Sequence, residues 1–418
     1  MLTEIIREAW IALKRNYTRS LLTMLGIVWG IATVTLLIAY GSSFRNILVS
    51  GFNAFGKSVV ICWPQQTSEQ PGGQRAGKKV VLEKSDLDMV KADAPLVKHA
   101  CLETVKRPGI SYGDRMVGTA AIRGVCPEYG EMRNEVPAEG RWINAADELE
   151  RRRVCFLGGR VREQLFSGRP AVGETVLIGG VHFTVIGVME RKIQLSNYFS
   201  SDDESVWIPY SAAGDVWNTR YAAVLVFEPI APQFEKKAEA QVLAAIAMRQ
   251  QFSPTDKKAF QMFGREEFRP IIDALTIGLQ VLLTFIGTLT LGIGGVGVMN
   301  IMLVSVDERI REIGLRRALG AKKWHIKLQF LAETLLIMLL GGLLGILVSY
   351  VIAAAVGTLP MMGPLFEDES GKGDIHLRIS LVTVLLSTAV LLVVGVASGL
   401  VPALRASKLD PVEALRYE

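Results

Sequence analysis

Residues Ala274–Val306 read ALTIGLQVLLTFIGTLTLGIGGVGVMNIMLVSV and hold no formally charged side chain. As a helix this run is about 50 Å long, longer than the roughly 30 Å of bilayer hydrocarbon. Three other runs are equally free of charge: between Arg19 and Arg45, between Glu333 and Glu367, and between Arg378 and Arg405. Backbone polar groups find no water in lipid, so each run must satisfy them internally as a helix. The expected fold class is an integral membrane α-helical protein with four transmembrane helices in a 1+3 arrangement. An α+β extracytoplasmic domain follows the first span.

The expected segmentation follows the charges. Residues 1–19 form an N-terminal stretch, 20–44 the first span, 45–273 the extracytoplasmic domain and 274–306 the second span with a stalk. Residues 307–327 are a loop, 328–366 the third span, 367–378 an outer loop, 379–404 the fourth span and 405–418 a tail. Net charge is +5 and mean hydropathy +0.31, but the placement of charge decides more. Basic residues crowd Arg7–Arg19, Arg309–Lys327 and Arg405–Arg416, whereas 367–374 is acidic. The positive-inside rule puts both termini and the middle loop in the cytoplasm. Sidedness accounts for the basic residues, so nucleic acid is not an expected partner; membrane lipids are. The first run is too long for a signal-peptide core and is read as a signal anchor. Before it, Leu2, Ile5, Ile6, Ala9, Trp10 and Leu13 recur at helical spacing, as in a helix lying in the membrane interface.

The long insert reads as two βαβ-like units flanking a β-rich subdomain at about 111–220. The first has strands at Lys57–Trp63, Lys79–Glu83 and Ala100–Lys106, with a helix capped by Ser85 and Asp88. The second has a strand at Tyr221–Phe227, an amphipathic helix over Phe234–Phe252 and a strand at Ala259–Phe263. Glu174–Met189 and Ser205–Tyr210 alternate like strands between glycines. All four cysteines, Cys62, Cys101, Cys126 and Cys155, lie in this insert. An oxidising compartment permits disulfides in three connectivities. Cys62 and Cys155 sit in apolar runs and read as free, buried thiols.

Two strings imitate nucleotide motifs. Gly72–Lys79 (GGQRAGKK) fits G-x-x-x-x-G-K, but Lys79 stands where the magnesium-binding hydroxyl belongs and no helix pattern follows. Gly292–Gly297 (GIGGVG) lies inside an apolar run. Gly292, Gly294, Gly295 and Gly297, together with Gly26 and Gly30, Gly341 and Gly345, and Gly395 and Gly399, are read as sites of close helix packing in lipid. No catalytic constellation and no metal-ligand spacing is present in the sequence. No acidic or basic residue lies mid-span, which argues against an ion relay. Neither a catalytic residue nor a cofactor is expected on this chain.

Ser305–Ile326 (SVDERIREIGLRRALGAKKWHI) is the most specific stretch. As one helix it pairs Asp307 with Arg311 and Glu312 with Arg316, acid first. Gly320 is suited to end it. Ile310, Ile313, Leu315 and Leu319 supply an apolar strip that could dock a partner.

Glu308, Arg309, Glu312, Ile313, Gly314, Leu315, Arg316, Ala318, Gly320 and Ala321 fit the pattern E-R-x-x-E-I-G-x-R-x-A-x-G-A. In this the loop resembles the coupling region of the MacB/FtsX-like family of ABC transporter permeases. The ending Pro402–Glu418 is similar to that family's C-terminal signature, and Glu139–Glu148 to its periplasmic core domain. The resemblance implies a dimer with a second copy or paralogue, and a cytoplasmic ABC ATPase that binds ATP and Mg and docks on the loop. It also implies mechanotransmission to the outer domain, with efflux through a periplasmic adaptor and outer-membrane channel. FtsX-like activation of an extracytoplasmic enzyme and lipoprotein release are alternatives. MacB-type members carry the ATPase on the same polypeptide. About 19 residues precede the first span here, so the ATPase is expected on a separate chain.

Overall fold

The computed structural model describes residues 17–53, 56, 59–69, 76–192, 198–361 and 373–416. The interfacial helix expected before residue 17 and most of the Gly72–Lys79 string lie outside them. Helices of six or more residues are α1 (Tyr17–Asn53), α2 (Lys84–Asp93), α3 (Gly159–Phe166), α4 (Glu235–Gln250), α5 (Arg265–Glu308), α6 (Ile310–Ala318), α7 (Lys323–Val356), α8 (Leu381–Lys408) and α9 (Pro411–Arg416). The chain divides into two compact units, Leu48–Asp273 and the remainder, each described by itself.

The outer unit starts from strands β1 (Val60–Pro64) and β2 (Val97–Lys106), joined through α2, and β11 (Val224–Pro229) and β12 (Phe260–Gly264), joined through α4. β1 and β2 both run antiparallel to β11, and β11 and β12 both run antiparallel to β1. Each helix therefore links parallel strands across a gap that the other unit fills. The result is two interlocked split βαβ units in the order β12-β1-β11-β2. Val90 of α2 and Ala238, Val242 and Ile246 of α4 close the core over this sheet.

Two details depart from the sequence reading. The α2 cap is Glu83, whose N–H donates to Asp86 (2.8 Å). Asp86 is held there by Arg249 of α4 at 2.6 Å, a pairing invisible to local spacing. Lys79–Glu83 is not a strand and makes only isolated bridges at Lys79 and Leu82. The inserted subdomain is β-rich, and α3 buries Val161, Leu165 and Phe166 in its core.

The insertion runs β3 (Ile110–Tyr112), β4 (Arg115–Val117), β5 (Ala121–Val125), β6 (Pro137–Gly140), β7 (Val154–Leu157), β8 (Thr175–Ile178), β9 (Val181–Met189) and β10 (Ser205–Pro209). It extends the same mixed sheet. β2 serves both halves, pairing with β11 up to Glu103 and with β5 from Thr104. Gly179 and Gly180, at φ 54° and 86°, close the β8–β9 hairpin with the doubly positive φ of a type I′ turn.

A buried ionic cluster marks that changeover. Arg123 Nη1 donates to Glu103 Oε1 at 2.9 Å, and both side chains are fully buried. Its other nitrogens donate to the Tyr198 and Ser200 carbonyls (2.9 Å each) and the Ser205 hydroxyl (3.1 Å). Arg133 Nη2 lies 3.1 Å from both oxygens of Asp202. Lys192 bridges Asp202 (3.0 Å) and Glu135 (3.1 Å). Burial raises both carboxyls, but Arg133, Lys192 and Arg123 outweigh it at Asp202 and hold that group well below the usual range. Glu135 pairs with Lys192, and its Oε1 has no hydrogen bond. Burial and the Asp202 charge push it up to about 8. Nearby, a Cys101–Cys126 disulfide ties β2 to the end of β5, while Cys62 and Cys155 are buried and free.

In the second unit, α1, α5, α7 and α8 are long and apolar enough to cross a membrane. α5 is a single element of 44 residues, about 66 Å long. α7 stops at Val356, short of residue 366. Gly357 adopts φ 66°, and β13 (Thr358–Leu359) pairs with β14 (Ile375–His376). Apolarity alone had extended the span into this hairpin. The Ser43 hydroxyl of α1 donates to the His376 carbonyl.

The cluster makes two predictions. Glu103→Ala strands the Arg123 guanidinium in the core and should cost about 3–5 kcal/mol, read by urea unfolding. Glu135 has a folded pKa above its reference value of 4.5. Its contribution to stability is complete below about pH 4.5 and is lost as pH rises through 8. Glu135→Gln should therefore flatten the fall in the thermal midpoint between those limits, and an unchanged slope would refute the assignment.

Candidate functional site

The single helix expected from Ser305 to Gly320 is broken. α5 ends at Glu308, and Arg309 leaves helical geometry at φ −110°, ψ 15° before α6 begins. α6 then closes with a Schellman motif. The Gly320 N–H donates to the Arg317 carbonyl (3.1 Å) and the Ala321 N–H to that of Arg316 (3.0 Å). Gly320 takes φ 93°, the left-handed conformation its sequence position suggested. Lys322 then caps α7 in extended geometry.

Each fastening of α6 reaches a distant part of the chain. Arg309 Nη1 lies 3.4 Å from Glu333 Oε2 of α7. Arg316 pairs with Glu312 at 2.6 Å as expected, and also donates to the Gln329 amide at 2.8 Å. Arg317 donates to the Ser407 and Leu409 carbonyls at the end of α8, where the last helical carbonyls lack intrahelical partners. Asp307 pairs with Arg405 of α8 at 3.0 Å rather than with Arg311, because the break at Arg309 removes the i,i+4 register. Ile313 and Gly314 are buried. A Cβ on Gly314 would come within 2.5 Å of the Ala414 Cβ in α9.

The matched residues thus fall into two sets. Arg309, Ile313, Gly314, Arg316 and Ala321 fix the loop to its neighbours. Glu308, Glu312, Leu315, Ala318 and Gly320 are exposed. Leu315 is 52% and Leu319 80% exposed, and Trp324 beyond the turn is 61% exposed. Trp324 was missed in the sequence because it lies past the expected helix end. Its signal was a large aromatic beside three lysines. Ile313, counted there in the apolar strip, faces inward.

The glycines are also sorted. A Cβ on Gly294 would press on the Gly26 carbonyl (2.9 Å), one on Gly26 would make ordinary contact with the Gly294 Cα (3.5 Å), and one on Gly30 would meet Leu291 at 2.9 Å. Gly341 abuts Ile27 (2.9 Å), and Gly345 abuts Ile31 and the Val28 carbonyl. Gly295 faces Ser398 (2.5 Å), Gly395 faces Met338 (3.0 Å) and Gly399 faces Thr334 (3.0 Å). α1–α5, α1–α7, α5–α8 and α7–α8 therefore all pack at glycine. Gly292 is the correction: nothing among the described residues lies within 4 Å of its added Cβ, because it is turned off the packed face. Gly297 is partly buried. Among the described residues no group of three metal-ligating side chains converges.

An α/β outer unit lies between the first and second of four long apolar helices, with a fastened loop after the second, and the family models that match this chain are those of a permease. The chain belongs to the MacB/FtsX-like family. Residues 20–244 match the MacB-like periplasmic core domain and residues 284–411 the FtsX-like permease C-terminal domain. The macrolide export ATP-binding/permease protein MacB of Hahella chejuensis is 30% identical over 419 residues, covering 100% of this chain and 60% of that protein. The corresponding protein of Salmonella typhi is 32% identical over 417 residues, covering 99% and 61%. The chain spans about three fifths of the length of these curated relatives. The periplasmic region of MacB from Actinobacillus actinomycetemcomitans matches at 16% identity with a TM-score of 0.43, covering 55% of this chain and 98% of that one.

The helix contacts predict a contrast. Gly345→Leu should drive α1 and α7 apart and lower the thermal midpoint of the detergent-purified protein sharply. Gly292→Leu should leave it nearly unchanged. Equal effects at the two positions would contradict the packing described.

Proposed function

We propose that this chain is the permease part of an efflux-type ABC transporter, in which an ABC ATPase on the cytoplasmic side grips α6 and drives the outer unit. The substrate class is a peptide, antibiotic or lipid-like molecule, in keeping with the macrolide export named for the relatives. A second copy or paralogue completes the membrane part, and a periplasmic adaptor and outer-membrane channel carry the substrate onward. ATP and Mg act on the ATPase.

One observation carries this reading. α6 is fastened to α7, α8 and α9 through Arg309, Arg316, Arg317 and Gly314, yet leaves Leu315, Leu319 and Trp324 exposed. A loop serving only as a connector has no need of such fastening. A force applied to the exposed strip is passed to the ends of the adjoining spans. α5 is a single helix of 44 residues, and stiffness over such a length is what a lever requires. Pro270 lies inside α5. It lacks a backbone N–H and marks the place where bending costs least.

Leu315→Asp with Leu319→Asp should reduce ATPase co-purification about tenfold or more, the loss expected when an apolar anchor is removed from an interface. The thermal midpoint should be retained. Gly314→Leu should instead lower the midpoint by displacing α9. If the double variant still recruits the ATPase and supports export, the docking assignment fails.

A further inference from the structure

We infer that the Lys322 end of α7 binds the headgroup of an anionic phospholipid, held by Lys323 and Lys327 beside the Trp324 ring. The site needs α7 to span the membrane and does not depend on the ATPase.

The outward face of α7 fixes the height of this site. Trp324, Leu328, Leu339, Leu343 and Leu347 are exposed, and Leu331 and Leu335 continue the same helical stripe between them. At its far end the stripe reaches Tyr350, which is 49% exposed and whose hydroxyl donates to the Ile379 carbonyl just ahead of α8. Along the helix, Trp324 and Tyr350 bracket a rise of about 39 Å. Bilayer hydrocarbon is about 30 Å thick, and about 40–45 Å with its headgroup layers. Two amphipathic rings at that separation sit in the two interfaces, where Trp and Tyr are favoured. Leu315 and Leu319 stand on α6 and are not part of this stripe.

Lys323 and Lys327 then lie at headgroup height, four residues apart on the flank beside Trp324. Lys322 and Lys323 are exposed and Lys327 is half-buried. Like charges at this spacing on a helix repel. Among the described residues none of the three lysines joins an ion pair. Asp307, Glu312 and Glu333, acids of the same end, are engaged by Arg405, Arg316 and Arg309. A phosphate of net negative charge relieves the repulsion, whereas a zwitterionic headgroup brings its own cation. The acyl chains of such a lipid continue along Leu328 and the leucines beyond it. Lysines at the end of a span also set its orientation, a role that needs no bound lipid and that the test must separate.

The probes are phosphatidylglycerol and phosphatidylcholine, added to the full chain in a neutral detergent and read by the thermal midpoint. Phosphatidylglycerol should raise the midpoint saturably, as a ligand of the folded state does, and phosphatidylcholine should not. The apparent affinity should fall about tenfold or more for K323Q/K327Q and return for K323R/K327R. In vesicles, phosphatidylglycerol brominated near the top of its acyl chains should quench the Trp324 emission, taken as the difference between wild type and W324F. Brominated phosphatidylcholine at the same mole fraction should quench it less. Equal quenching by the two lipids, or an affinity indifferent to the lysine changes, overturns the proposal and leaves the lysines as orientation signals. Absence of quenching by either lipid also overturns it, because Trp324 then faces a protein partner or water. A midpoint rise reproduced by millimolar inorganic phosphate marks a free-anion site and overturns lipid binding.

Discussion

Helices dissolved in hydrocarbon gain nothing from hiding apolar side chains from one another, because lipid tails are as apolar as leucine. What remains to hold α1, α5, α7 and α8 together is contact, and contact at short range needs backbones to approach. Gly26 against Gly294, Gly345 against Ile31 and Gly399 against Thr334 provide that approach. The four helices close as a ring, α1 to α5 to α8 to α7 and back. In a ring of this kind a shift of one helix cannot be absorbed by a side chain changing rotamer. It must move the neighbour.

The loop after α5 is attached to the same ring. Arg309 and Glu333 join it to α7, Arg317 holds the carbonyl end of α8, and Gly314 sits under α9. These contacts involve groups that would otherwise be left unsatisfied, the last carbonyls of a helix and a buried carboxylate. Their geometry is therefore constrained. Leu315, Leu319 and Trp324 are left uncovered by these contacts.

Much of this was legible in the sequence, and most of what was missed shares one cause. Uncharged runs gave the four spans, and a glycine after basic residues gave the end of α6. The Glu312–Arg316 pair and the two βαβ units also followed, because periodicity, capping and i,i+4 spacing are local. Several residues that departed answer to partners far along the chain. Asp307 turns to Arg405, Asp86 becomes part of the α2 cap through Arg249, and Ile313 faces inward. The Glu103–Arg123 pair and the Cys101–Cys126 bond join strands brought together only by the sheet. The third helix shows the opposite limit. Leu359, Pro360, Met361 and Met362 are apolar enough to prolong a span on paper, yet Gly357 turns the backbone out of the helix.

The interleaved strand order constrains how the outer unit is made. β1 and β2 emerge early but are not neighbours. The slot between them belongs to β11, and β1's other flank to β12, both synthesised only after the whole insertion. Until then β1, with its Val-Ile-Cys run, has no ladder on either side. Such late, non-local pairing is slow and leaves an aggregation-prone strand uncovered. A ribosome stalled anywhere before Val224 would release a chain whose first half has every residue it needs and no means of closing.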